Sequence, residues 1–535
     1  MSKYVIGIDY GTLSGRAVLV DAADGTIVAE AALDYPHGVM DRTLPDGTPL
    51  PGSWALQDPR DYLEVLEKTV PQVLKDSGVD PEDVIGLGLD TTSATLIPVG
   101  EDGLPLSFHE KWAAVPHAWC KLWKHHAAQA QAERFTTLMG EDLLSHYGGR
   151  VSSEWVYPKI LEVREEAPEV YEAADRFLDA CDWLTAWLTG ETLVSACSAG
   201  YKAFWRKGEG YPSPKRVAQV APYMADVAET KLDAPVLALG QPVGCLTEEA
   251  CRLTGLTTRC VVAVGNVDAH ASVPGSGLSR PGELLVILGT SACSMVCAEQ
   301  EHFVPGICGS VMDGILPGLY GYEAGQPSVG DTFSWFVKNF AAEEGFGGLD
   351  EKAKALKIGE SGLIALDWWN GNRSILNNAD LSGVIFGLTL QTRPEEIYRA
   401  LIESCAFGFR TIIENFESHG VPVEQVYACG GISLKNPFLV QLYADVIGRS
   451  IRVSPVLQSP ALGSAMTAAA AAGCYPSLQE AVRAMARTDY ITYEPDMDAH
   501  VAYDHLFLIY RKLHDTLGRD LSVLMQELKK GGQLI

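Results

Sequence analysis

The chain of 535 residues is too long for one compact core and has room for two domains or more. With 47% hydrophobic and 20% charged residues it reads as soluble and globular, and a formal net charge of -27 spread along the chain disfavours nucleic acid and anionic membranes as partners. Its 12 cysteines form no Cys-x-x-Cys pair, and the absence of a cleavable signal or an apolar run of membrane length fits a reducing cytoplasm.

Val5, Ile6 and Ile8, then Ala17 to Val20, predict two strands around a polar turn. In that turn Gly11 and Gly15 let backbone N–H groups approach an anion, Thr12 and Ser14 add hydroxyl donors, and Arg16 adds a charged set of donors. Asp9 at the strand end is placed to hold Mg²⁺ through water. An ordinary hairpin with a polar loop is the alternative. Asp24-Gly25 turns the chain into a third strand, Thr26 to Ala32. Asp58 then caps a helix with Pro59 at its first position, carrying Tyr62, Leu63, Leu66, Val70 and Val73 as an apolar stripe and a kink at Pro71. Val84 to Asp90 reads as a strand buried on both faces, which delivers Asp90, Thr91, Thr92, Ser93 and Ala94 to its carboxyl end, where open α/β sheets bind ligands.

Tryptophans cluster between Trp112 and Trp205, as core or as walls of a carbohydrate site. His125 and His126 at adjacent helical positions point apart, which favours a surface over a metal site. Lys202 in a run of small and aromatic residues either snorkels or holds a ligand oxygen. Cys260 to Gly265 predicts another buried strand, and Asp268 opens the next helix, as a plain capping residue or as a working acid at a strand end. Pro274 to Gly282 is the best domain boundary, too rich in Pro and Gly for an element to run into it.

From Leu284 to Val296 the opening pattern returns: apolar strand, Gly289-Thr290-Ser291 turn, apolar strand. Glu323 lies between small residues, with a solvated loop acid as the plain reading. Asp367 to Arg373 reads as a lid or as a subunit contact, such as that of a homodimer. In the helix near residue 400, Thr392 is expected to cap, Pro394 to enter and Gly420 to terminate. Gly430 and Gly431 after the strand from Val426 let a flat ring rest on bare backbone, and Asn436 either caps the next helix or bonds a ligand there. Ala461 to Met466 and the alanines beyond form a small-residue helix suited to close packing, and Leu506, Tyr510, Leu513 and Leu517 predict an amphipathic tail helix.

The paired Gly-Thr hairpins, the Gly265 to His270 stretch, the Gly383 to Glu403 segment and the Val426 to Gly431 turn resemble the FGGY family of sugar kinases, within the actin, hexokinase and heat-shock ATPase superfamily. The resemblance implies an α/β, two-domain, ribonuclease H-like fold with a nucleotide cleft between duplicated domains. It places an N-terminal domain for sugar and phosphate at 1–275, a C-terminal adenosine domain at 281–480 and a helical tail packed on the core at 481–535. It implies Asp268 as general base, Lys202, Glu323 and the backbone near Ser93 and Ala94 as sugar contacts, and His270 as a packed helix residue. Gly11, Thr12, Ser14, Arg16, Gly289, Thr290 and Ser291 would hold phosphates, Gly430, Gly431 and Asn436 the adenosine, and Asp9 the Mg²⁺ of MgATP. Trp123-Lys-His125 is similar to the family's Trp-x-Asp segment, but His125 stands where an acid is usual. The Asp58 to Tyr62, Leu122 to Lys124 and Lys202 segments look most like members acting on L-ribulose, implying transfer from ATP to its C5 hydroxyl in L-arabinose catabolism. A kinase for D-ribulose, xylulose or ribitol shares nearly every motif. A non-catalytic ATP-switched binding protein would keep the hairpins without needing Asp268, and a carbohydrate binder without ATP would leave them unexplained.

Overall fold

The computed structural model describes residues 3–531. Its contacts divide the chain into two compact units. Unit 1 runs to Arg280 and takes back Ser310–Gly321 and Gln458–Arg487; unit 2 comprises Pro281–Gly309, Tyr322–Leu457 and the chain from Thr488.

In unit 1 the apolar runs become β1 (Tyr4–Tyr10) and β2 (Ser14–Asp21), followed by β3 (Ile27–Asp34) in an antiparallel meander. A short strand, β4 (Leu56–Gln57), precedes helix α1 (Pro59–Ser77), capped by Asp58 and continuing through Pro71. Next come β5 (Val84–Thr91), β6 (Leu96–Val99), β7 (Cys120–Lys121), helix α2 (Val156–Glu166), β8 (Arg176–Asp179) and helix α3 (Ala196–Ala203). β9 (Pro242–Cys245), β10 (Val261–Ala263), β11 (Asn266–Val267) and helix α4 (Asp268–Gly275) complete the stretch. The main sheet has the order β9-β10-β5-β1-β2-β3, with β11 also paired to β5, and a four-stranded sheet has the order β4-β7-β6-β8.

Helix α5 (Ser459–Ala471), inside the span 281–480 expected of the second domain, makes its contacts in unit 1, against β1, β5 and α4. Its small residues explain how. A Cβ at Gly7 would lie 1.8 Å from Ala461 O, and one at Gly463 would lie 1.8 Å from Ala271 O, so backbone meets backbone. The unit division between Arg280 and Pro281 falls inside the expected boundary Pro274 to Gly282, but the expectation that no element runs into it is corrected. α4 runs through Pro274 to Gly275, because Pro274 falls in the last turn and Gly275 leaves room for α5, where a Cβ would meet Ser459 O at 1.8 Å.

Unit 2 repeats the opening topology. β12 (Glu283–Leu288) and β13 (Ala292–Ala298) form a hairpin, β14 (Tyr320–Gln326) follows β13, and on the other side β12 runs parallel to β15 (Gln425–Cys429), then β16 (Ile451–Val453) and β17 (Ile491–Tyr493). Three expectations are corrected here. The helix Pro394–Ser418 is capped by Arg393 in a capping box with Glu396, while Thr392 bonds within the preceding turn to Thr389. The tail helix Met497–Asp515 forms as expected, but of its expected stripe only Tyr510 is fully buried, joined by Tyr503, Phe507 and His514, since Tyr503, Phe507 and Tyr510 pack on Phe407. Asp367 and Trp368, which open the segment expected as a lid or subunit contact, are buried within unit 2: Asp367 accepts from Gln326 Nε2 at 2.8 Å and Tyr510 OH at 2.7 Å, and Trp368 packs against His514. Among the described residues no helix is long and apolar enough to cross a membrane.

Candidate active site

In unit 1 the parallel register sets Asp9 opposite Asp90, and Asn266 of β11 lies opposite Asp90 on its other side. Register partners share a sheet face, so the two carboxyls meet on the side covered by α5, whose Ser464 hydroxyl donates to Asp90 Oδ2 at 2.5 Å. Asp90 Oδ1 and Asn266 Nδ2 are buried without a hydrogen-bond partner among the described residues. Burial raises the Asp90 carboxyl well above the carboxylate range, and the Asp9 charge adds to the rise. Asp9 itself is raised by burial and pulled back by Arg16, whose Nε lies 3.7 Å from Asp9 Oδ2.

The β1–β2 turn is held from several sides. Gly11 N donates to Ser14 O at 3.0 Å, and Arg16 donates to Ser14 Oγ at 3.1 Å and Gln458 Oε1 at 3.3 Å. Gln57 Nε2 donates to the Thr12 carbonyl at 2.8 Å, and Trp123 Nε1 donates to its hydroxyl at 3.2 Å.

Asp268 is the first helical residue of α4; Val267 occupies the cap position. The Asp268 carboxylate accepts the Ala269 N–H at 2.7 Å and acts electrostatically on Asp90. Helix α3 packs against β11, which leads into Asp268, and carries Lys202 at 7% exposure with its ammonium 5.8 Å from the Tyr201 ring centroid. Tyr201 stacks on His270, which is buried and also meets Cys197 Sγ at 3.1 Å. In the turn after β5, Ala94 has φ 51° and the Ser93 hydroxyl oxygen is buried without a partner among the described residues. Asp9, Gly11, Thr12, Ser14, Arg16, Ser93, Ala94, Lys202 and Asp268 are thus all held in unit 1. Sequence reasoning gave Asp90 no role; its register with Asp9 at the end of an all-apolar strand was the signal.

The surface expectation is overturned for His125 and holds for His126, which is exposed. Residues 122–128 form turns, not a helix, and His125 is fully buried. Its Nδ1 accepts the Ala55 N–H at 3.3 Å, leaving Nε2 to donate to Glu162 at 3.1 Å. Burial, with the charge of Lys121, pushes the His125 pKa down to about 3, so the ring is neutral. His117, Glu162 and Glu166 have metal-ligand spacing, but the Lys121 ammonium already lies 3.2 Å from Glu162 and 3.3 Å from His117 Nδ1. Burial raises the Glu162 carboxyl, yet Lys121 and the His125 bond outweigh it and hold it at about 2.

In unit 2, Gly289 N donates to Ser291 O at 3.0 Å, and the start of the helix Gly330–Phe340 covers the turn, with Gly330 N on Gly289 O at 3.0 Å and Val329 N on Thr290 O at 2.9 Å. β15 runs beside β12 and brings Gly430 and Gly431 to the same sheet edge. Gly430 has φ 96°, whereas a Cβ on Gly431 would meet nothing within 4 Å, so that face is open. Asn436 is a cap: its side-chain oxygen accepts Leu439 N–H at 3.0 Å and its NH₂ donates to Asp350 at 3.1 Å. Glu323 lies on β14, not in a loop, and is 8% exposed.

Two glycine-bearing hairpins, each at the carboxyl edge of a β-meander sheet, and an acidic cluster in one of them define a phosphoryl-transfer architecture. Family models for the N-terminal and C-terminal domains of the FGGY family of carbohydrate kinases match residues 4–275 and 284–472, and the chain belongs to this family. It is 48% identical over 546 residues to a ribulokinase of Geobacillus thermodenitrificans, covering 98% of this chain and 97% of that protein. With a ribulokinase of Mycolicibacterium smegmatis it shares 44% identity over 544 residues, covering 98% and 96%. Among solved structures, a xylulose kinase from Rhodospirillum rubrum has the same fold at TM-score 0.81 and 23% identity, covering 96% of this chain and 99% of that one. Plasmodium falciparum glycerol kinase with ADP gives 0.79 at 18% identity, covering 96% and 98%.

Proposed function

We propose that this chain transfers the γ-phosphoryl group of ATP to the C5 hydroxyl of L-ribulose, giving L-ribulose 5-phosphate and ADP. The observation that carries the reading is identity of 44–48% to ribulokinases over almost the whole chain, against 18–23% for the xylulose and glycerol kinases that share the fold.

In this reaction Asp268 takes the C5 hydroxyl proton as the oxygen attacks the γ-phosphorus, and the rest of the site works by positioning and charge stabilisation. Lys202, the Ser93–Ala94 backbone and Glu323 orient the sugar. The N–H and hydroxyl groups of Gly11, Thr12 and Ser14, with Arg16, hold phosphate oxygens, and the Gly289, Thr290 and Ser291 turn does the same from unit 2. Gly430 and Gly431 accept the adenosine on open backbone. Asp9 would hold Mg²⁺ through water, and Asp90 Oδ1 beside it, buried without a partner among the described residues, supports that fit. When bound, the ion neutralises charge on the phosphates.

The test is ADP release with L-ribulose, D-ribulose, xylulose, ribitol and glycerol as acceptors, with the product's phosphate position assigned by NMR. L-Ribulose should give the highest kcat/KM and a C5 ester. Faster turnover of xylulose or glycerol, or a phosphate on another carbon, would reject the assignment.

A further inference from the structure

Lys159 on α2 is 0% exposed. Its ammonium donates to Ala94 O at 2.7 Å and Leu122 O at 2.9 Å, with Lys121 O at 3.4 Å, so all three protons are directed at main-chain carbonyls. Burying an ammonium on carbonyls alone is expensive, and burial lowers its pKa to about 8. A neutral side chain would fill the same space at less cost, so the position of those carbonyls is what the charge secures.

Those carbonyls belong to two separate chain segments. Ala94 lies in the left-handed region at φ 51°, a conformation that strains a residue with a Cβ and persists only where the surroundings enforce it. Leu122 immediately precedes Trp123, whose indole N–H donates to the Thr12 hydroxyl at 3.2 Å. One turn along α2, Glu162 pairs with Lys121 at 3.2 Å and His125 at 3.1 Å, so the helix grips the 121–125 segment by main chain and by side chain.

We propose that Lys159 is a positioning residue: one buried ammonium fixes the Ser93–Ala94 turn, on the sugar side, relative to Trp123 and the Thr12 hairpin, on the phosphate side. This rests on the reading of that turn as a sugar contact, which the buried, unpartnered Ser93 hydroxyl supports. Lys159 touches neither substrate. It sets the distance between the groups that do, and sub-ångström placement governs the rate of an in-line transfer.

The test is Lys159→Met, which keeps an unbranched side chain one atom shorter and removes the donors. Steady-state kinetics should show KM for L-ribulose raised about tenfold or more and kcat lowered, with KM for ATP within about twofold of the parent. Adding Ala94→Gly, which adopts the left-handed turn without strain, should recover part of the lost KM. A folded Lys159→Met variant with reduced thermal stability and unchanged KM for L-ribulose makes Lys159 a purely structural residue and overturns the proposal. If that variant does not fold, Lys159→Gln, which retains an N–H donor, is measured against the same criterion. Hydrogen exchange on the parent enzyme separates the two readings. L-Ribulose should protect the amides of residues 91–96. No protection there removes the turn from the sugar site, whereas protection combined with an unchanged KM in the variant removes only the role of Lys159.

Discussion

The two glycine hairpins share a strand–turn–strand plan and have very different surroundings. In both, a glycine N–H closes the turn at 3.0 Å, Gly11 on Ser14 O and Gly289 on Ser291 O. In the first hairpin the strand-end pair is Asp9 opposite Arg16, with Asp90 in register on the neighbouring strand; in the second the corresponding pair is Ile287 opposite Cys293, beside Cys429. The first turn is held by side chains, Gln57 and Trp123, and the second by the backbone at the start of a helix. The strand end of the first hairpin thus pairs two buried carboxyls in register, whereas that of the second carries Ile287, Cys293 and Cys429, with Asp331 reaching its turn through a main-chain N–H on Thr290 O at 3.2 Å.

The sharpest way to break this division is Asp268→Asn. The change is nearly isosteric and still accepts a hydrogen bond, so folding and binding of ATP and L-ribulose should persist while kcat falls about a hundred- to ten-thousand-fold. Equal kcat at saturating substrates would remove Asp268 from the chemistry. Next in size is Asp9→Asn, for which the Mg²⁺ concentration giving half-maximal rate should rise about 10- to 100-fold. An unchanged Mg²⁺ titration would mean that the acidic hairpin is no more a metal site than its neutral counterpart.

Thr290→Val in the second hairpin should raise KM for ATP about 2- to 10-fold, the value of one hydrogen bond, and leave kcat and Mg²⁺ dependence alone. A fall in kcat matching that of Asp268→Asn would show that both hairpins share the chemistry. The smallest effect is expected at Asn436→Ala, where loss of the cap should cost about 1 kcal/mol of stability in denaturant unfolding with KM for ATP nearly unchanged. A higher KM for ATP without loss of stability would assign Asn436 to the adenosine instead.

Much of the frame was readable from residue patterns. The strands β1, β5 and β12 are apolar runs ending in polar turns, and the Asp58-Pro59 and Asn436-Pro437 starts carry their caps in the sequence. Local pattern failed where a distant partner decides. Nothing near His125 reveals that Ala55 and Glu162 will surround it, and Asp367 looks like a surface acid until Gln326 and Tyr510 are placed around it. The tail helix offers a leucine stripe and an aromatic stripe on neighbouring faces, and only the rings opposite, such as Phe407, select one. In the site, Asp268 and the turn glycines stand in recognisable motifs. Asp90 and Lys159 do not, since their significance lies in register and in carbonyls contributed by other segments.

The packing of α5 under β1 also sets the order in which this protein can be finished. Arg16 and Gln458, both in unit 1, are 442 positions apart, and the glycine contacts of Gly7 wait for the same late helix. At a synthesis rate of roughly 5–20 residues per second, the first strands are exposed for about 20–90 s before their covering helix leaves the ribosome. During that interval the face bearing Gly7 and Gly88 lacks its cover, with Asp9 and Asp90 open to water. The two carboxyls, whose ionisation burial later opposes, are hydrated and charged on that open face, and charge on an uncovered sheet disfavours its association with other chains.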